Sequence, residues 1–225
     1  MQIDFEKITP HERYKLLTAA VVPRPIALVS TLGPDSTVNA APFSFFNIFS
    51  EDPALAVLGL QHAPDGSIKD TTRHILDNGE FVINLVDRRL AEAMAVCAAR
   101  LPAGISEIEA AGLSVSGSQC IETPRIAEAP VSLECRTWEI RQITPTRHLA
   151  VGEIVALSAR DGLIDPETLY FDMSAYEPVG RLVANSYCHT DDRFELSVPR
   201  WPEDFSDTSP PLPLPSNPAS PRGQS

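Results

Sequence analysis

The sequence comprises 225 residues and 24.5 kDa, room for one ordinary domain with a substantial core and too little for a multidomain assembly. Thirty acidic against eighteen basic residues leave a formal net charge of −12, with no basic cluster to offset it, which argues against phosphate-neutralising nucleic-acid binding. No run approaches the roughly 20 apolar residues of a membrane span, and the N-terminal MQIDFEKITP has neither the basic nor the apolar segment of a leader; with four cysteines and no CxxC pair, the expectation is a cytoplasmic protein with free thiols and no membrane contact.

Residues 10–20 (PHERYKLLTAA) predict a short helix, which Pro23 and Pro25 forbid from continuing. Ile26 to Leu32 is an apolar, β-branched run closed by the turn cluster Gly33-Pro34-Asp35-Ser36, and the chain from Thr37 onward reads as its hairpin partner. Ala54 to Leu60 and Glu80 to Val86 are further short strands. Between them, Ser67 and Asp70 have capping-box spacing, so a helix is expected to begin near Lys69 and run to Asn78-Gly79. Residues 88–100 predict a second helix, with Leu90, Met94, Cys97 and Leu101 on one face. Val131, Leu133 and Cys135 alternate with Ser132, Glu134 and Arg136, the pattern of a half-buried strand, and residues 148–159 are again β-rich. Strands outnumber helices, and their connections are mostly too short for parallel crossovers, so the expected fold is mainly β: an antiparallel barrel with flanking helices. From Pro199 the chain carries eight of its 21 prolines, which divides it into a domain over 1–198 and an extended, disordered tail over 199–225, with Trp201 and Phe205 as the tail's large apolar groups.

The familiar signatures are absent: no GxGxxG, no phosphate loop, no GxSxG elbow, and no histidine spacing suited to a metal. What remains is a series of polar groups at the ends of early strands. Arg24 sits between two prolines just before a strand, and Ser30 and Thr31 place hydroxyls at that strand's end. Residues 39–47 (NAAPFSFFN) combine small residues, which let a ligand approach the backbone, with aromatic walls and the amides of Asn39 and Asn47. Lys69, one of three lysines, begins a helix with Thr71 and Thr72, and helix N-termini bind phosphate through free N–H groups. Together these point to a flat, partly apolar ligand with an anionic tail. Each element alone has an ordinary reading as well: a solvated lysine, a core F-S-F-F run, strand-end hydroxyls and amides, an arginine paired with a carboxylate.

In order, PRPIALVST (23–31), NAAPFSFFNIFSEDP (39–53), KDT (69–71), EFVINLV (80–86), HLAVGEIV (148–155) and GRLVANSY (180–187) closely resemble the flavin reductase-like, FMN-binding split-barrel family, over roughly residues 10–190. The resemblance implies a Greek-key split barrel, non-covalent FMN, reduced nicotinamide (NADH or NADPH) as co-substrate, and a homodimer with the flavin near the subunit interface. It assigns Ser30, Thr31, Asn39, Ala40, Ala41, Ser44 and Asn47 to the isoalloxazine ring and ribityl chain, and Arg24, Lys69 and Thr71 to the phosphate. His148 matches a family histidine near the flavin or nicotinamide and is the candidate for proton transfer. Arg181 and Tyr187 match a carboxy-terminal pattern and are binding candidates. The chemistry belongs to the cofactor, and three functions stay open: hydride transfer through retained FMN to a small acceptor such as a nitroaromatic or quinone, release of reduced FMN to a partner monooxygenase, or non-enzymatic electron carriage.

Overall fold

Thr9 opens the first helix: its hydroxyl accepts the N–H of Glu12, the Glu12 carboxylate accepts the N–H of Thr9, and Pro10 has no N–H to leave unsatisfied. In the computed structural model, which describes residues 1–99 and 106–200, this helix α1 spans Pro10–Ala20 as its sequence predicts and ends ahead of the cis peptide Val22–Pro23. The chain continues through β1 (Ala27–Leu32), β2 (Val38–Phe43), β3 (Phe46–Glu51), β4 (Ala54–Gln61), α2 (Asp70–Asn78), β5 (Glu80–Leu85), α3 (Ala91–Cys97) and α4 (Glu107–Ala110). Then come β6 (Val115–Ser116), β7 (Arg125–Ile126), the long strands β8 (Val131–Thr144) and β9 (Arg147–Ala159), and the short pair β10 (Val179–Arg181) and β11 (Tyr187–His189).

Seven strands form one antiparallel sheet in the order β2-β1-β5-β8-β9-β4-β3. The β8–β9 hairpin lies between β4 and β5, which are consecutive in sequence among its strands, and β2 approaches β4 where the sheet curls back on itself. The result is the mainly β, helix-flanked barrel that the strand pattern predicts. Strand β1 is buried on both faces, which accounts for its unbroken apolar run. Ala27 and Val29 face the barrel interior with Leu58, Phe81 and Ile83, while Ile26 and Leu28 pack outward with Leu90 and Met94. Burying a side chain such as Leu28 is worth roughly 1.5–3 kcal/mol. Gly152 on β9 has no side chain because Phe81 crosses over it: a Cβ there would lie 2.4 Å from the Phe81 ring.

The structure corrects several expectations. Ser67 does not cap α2; its hydroxyl donates to Asp65, and Lys69 is the cap residue without a side-chain bond. The helix expected over 88–100 starts later, at Ala91, because the Asp87 carboxylate accepts the N–H groups of Arg89 and Leu90 and holds them in a turn. Leu101 lies outside the described residues. At the start of β8 the polar residues are not solvated, since Ser132 and Glu134 are 1% and 0% exposed beneath the segment 117–126. Glu134 accepts the backbone N–H groups of Gln119 and Cys120, and Asn84 of β5 accepts from Ile126 N and from the Ser132 hydroxyl. Met1–Asp192 forms one compact unit. Residues 193–200 have no regular secondary structure and are exposed. The rest of the expected tail, with Trp201 and Phe205, lies outside the described residues. Among the described residues, no helix is long and apolar enough to cross a membrane.

Candidate cofactor site

Strand β2, the loop 62–69, the start of α2 and the α3–α4 region enclose a cleft of about 700 Å³. Ala40 and Ala41 line it from β2, where small side chains leave the backbone approachable. Lys69 and Thr71 line it from the N-terminus of α2, whose first N–H groups have no intrahelical acceptor and whose dipole favours negative charge. Of the acidic groups that line the cleft, Asp70 pairs with Arg73 and Asp65 accepts the N–H and hydroxyl of Ser67, while Glu107 lines it from the α3–α4 side. Lys69 is exposed and pairs with no carboxylate among the described residues, so it faces the cleft as a free cation.

Behind Thr71, which is 2% exposed, runs a polar chain. The Asn39 amide donates to Thr71 Oγ1 at 2.9 Å and to Thr31 Oγ1 at 3.4 Å, and Thr31 Oγ1 lies 3.1 Å from His74 Nδ1. The structure therefore brings Asn39, Ala40, Ala41, Lys69 and Thr71 together at the cleft and puts Thr31 directly behind them.

The remaining sequence candidates lie elsewhere. The Ser30 hydroxyl is buried, donating to Pro124 O and accepting from Asn84. The Arg24 guanidinium, assigned to phosphate by the resemblance, ties elements together: it donates to the carbonyls of Thr18, Val21 and Leu182 and to the Ser44 hydroxyl. Its backbone also bridges to Arg181, and Gly180 packs against Pro23 so closely that a Cβ would lie 2.6 Å away. Arg181 stacks over the Tyr187 ring at 4.5 Å and donates to the Tyr187 hydroxyl and to Ala184 O. Asn47 is exposed on β3, its oxygen accepting from Ile48 N.

His148 is 7% exposed and does not line the cleft. It stacks on His62, at the root of the cleft loop, with His148 Nδ1 2.9 Å from His62 Nε2. Because His62 Nδ1 lies 3.2 Å from the carbonyl of Gly66, a pure acceptor, that nitrogen carries the proton. His62 Nε2 then accepts from His148 Nδ1, which leaves Nε2 of His148 as its exchanging atom. Burial, with the neighbouring His62 as the lesser cause, lowers the pKa of His148 from the ordinary 6.5. His62 and His74 were missed by sequence reasoning, because single histidines in a strand end and a helix carry no spacing signal.

A family model described as the flavin reductase like domain matches residues 19–180. The chain belongs to the flavin reductase-like family. It is similar to the crystal structure of the 2-nitrobenzoate 2-nitroreductase of Pseudomonas fluorescens, with 40% identity and a TM-score of 0.83, covering 89% of this chain and 98% of that one. It is also similar to nitrilotriacetate monooxygenase component B from Bacillus cereus, with 31% identity and a TM-score of 0.81 over 87% and 98% of the two chains. An uncharacterized protein of Aquifex aeolicus is 36% identical over 185 residues, 82% of this chain and 93% of that protein. These relatives identify the chain as an oxidoreductase of flavin reductase-like type, and the split-barrel fold expected from the resemblance stands.

Proposed function

We propose that this flavin reductase-like chain is an FMN-dependent NAD(P)H oxidoreductase that passes reducing equivalents to a small acceptor, a nitroaromatic acid being the first choice. The observation that carries the FMN assignment is the composition of the cleft. A free ammonium, a threonine hydroxyl and unpaired helix N–H groups meet at one end, suited to a phosphate monoester, and small β2 residues lie beside them, suited to a flat ring. The residues present thus fit the group. The acceptor assignment is supported by the 40% identity to a nitroreductase.

Bound FMN supplies hydride acceptance from NADH or NADPH and its onward transfer, the first two-electron step converting a nitro group with two protons to a nitroso group and water. Lys69 and Thr71 would hold the phosphate, and backbone N–H groups around Asn39 to Ser44 would stabilise negative charge on the ring. His148, the proton-transfer candidate of the resemblance, lies outside the lining of this cleft; with Nδ1 fixed by His62, it would act through Nε2. A homodimer is proposed on the apolar surface of the sheet's β3 edge and the β8–β9 hairpin, where Phe49 is 71% and Trp138 59% exposed.

Steady-state kinetics tests the reading. If one flavin face serves both nicotinamide and acceptor, oxidised nicotinamide leaves before the acceptor enters, and double-reciprocal plots are parallel, with flavin retained on the protein after ultrafiltration. Intersecting lines with flavin in the filtrate would instead identify a reductase that supplies a monooxygenase, the reading favoured by the 31% identity to a monooxygenase component.

A further inference from the structure

Thr71 is useful to an anion only if its hydroxyl proton points into the cleft, and nothing in Thr71 itself decides that. The polar chain behind it does. A hydroxyl has one proton and two lone pairs, an amide group separates its donor and acceptor ends, and a neutral imidazole nitrogen is one or the other. Two proton arrangements therefore satisfy the sequence of contacts Thr71, Asn39, Thr31, His74.

In the first, the Asn39 amide donates to Thr71 Oγ1 (2.9 Å) and Thr31 Oγ1 (3.4 Å), and Thr31 donates its proton to His74 Nδ1 (3.1 Å). Thr71 then keeps its proton for a partner in the cleft. In the second, His74 carries a proton on Nδ1 and donates to Thr31, both threonine hydroxyls donate to the Asn39 oxygen, and Thr71 turns lone pairs toward the cleft. An anion accepts only the first.

We propose that His74 is a positioning residue: its unprotonated Nδ1 sets the direction of the Thr31–Asn39–Thr71 chain and so presents Thr71 as a hydrogen-bond donor to a phosphate-bearing ligand. The inference rests on the reading of the cleft as a phosphate site. The surroundings of the ring favour the required state. It is buried between α2 and the β1–β2 turn, where a Cβ on Gly33 would lie 3.1 Å from Nε2. Burial lowers its pKa from the ordinary 6.5, the Arg73 charge adds to this, and Asp77 and Glu107 oppose it.

The test compares Kd for FMN and for riboflavin, which lacks the phosphate, on the full chain. His74→Leu removes the acceptor and is expected to weaken FMN by at least about tenfold, the weaker end of a charge-assisted hydrogen bond, with riboflavin little changed. His74→Asn, whose oxygen takes the place of Nδ1, restores FMN binding. Thr31→Val breaks the chain from another element and shifts the FMN-to-riboflavin ratio in the same direction, so the test survives if His74→Leu fails to fold. Loss of binding in His74→Asn equal to that in His74→Leu, or an unaltered ratio in both His74→Leu and Thr31→Val, overturns the proposal. An unmodified chain that binds FMN and riboflavin alike overturns the phosphate assignment itself, and the positioning role falls with it.

Discussion

Lys69 reaches the cleft because the helix it caps begins there, and its value to an anion comes from that place rather than from its charge alone. Lys69→Met is expected to weaken FMN about tenfold while leaving riboflavin nearly unchanged, as read by fluorescence titration of both ligands. Equal weakening of both would move Lys69 away from the phosphate. Two histidines make a second prediction. His74 and His148 are both held below the ordinary 6.5, mainly by burial. Between that value and their depressed folded values the unfolded chain binds more protons than the folded one, so their contribution to stability is complete above about pH 6.5 and is lost as pH falls through that window. Melting temperature should drop between about pH 7.5 and 5.5, and less so in the His74→Asn/His148→Asn double variant. A flat profile in the unmodified chain would contradict the neutral assignments. At this scale the sequence revealed Lys69, Thr71, Asn39 and the alanines, since helix-start and strand-end placement is local. It did not show the partners of Arg24 at Thr18, Val21 and Leu182, which are set by how α1 and the β10 region fold back on it.

Strand β8 shows how an element can follow its pattern and still mislead. Its alternation was legible, and one face is apolar core as expected, but Ser132 and Glu134 on the other face hold down the segment 117–126 instead of meeting water. Nothing local announces this, because the covering segment lies on the N-terminal side of β8 and has little pattern of its own. Glu134→Ala leaves the N–H groups of Gln119 and Cys120 without their acceptor and is expected to cost about 2–4 kcal/mol in urea unfolding, with faster hydrogen exchange confined to that segment. A loss under about 0.5 kcal/mol, the level of ordinary surface substitutions, would show that the segment is held by other contacts. The boundary of α3 was missed for a related reason: Asp87 engages the N–H groups that a helix from 88 would have used. In contrast, α1, β1 and β9 were legible nearly to the residue, since prolines, a turn cluster and β-branched runs punctuate them.

For the whole molecule, strand content and short connections predicted an antiparallel barrel, while the strand order came within reach only through the ordered family motifs, because pairing of β9 with β4 joins segments some 90 residues apart. The exposed apolar edge gives the scale its own prediction: light scattering at micromolar concentration should return twice the 24.5 kDa chain mass, and Phe49→Asp should shift it toward one. A monomer that still binds FMN would remove the shared-interface picture. The central claim, that flavin held in the cleft of Lys69 and Thr71 carries reducing equivalents from nicotinamide to a nitroaromatic acid, is tested most directly by anaerobic mixing. Protein loaded with FMN and freed of excess is treated with NADH or NADPH, then with 2-nitrobenzoate, while the visible flavin band is followed. The account predicts that the band bleaches with one nicotinamide and returns on addition of the acid, with flavin absent from the ultrafiltrate. A band that neither nicotinamide bleaches, or a bleached band that the acid leaves unchanged, would contradict it.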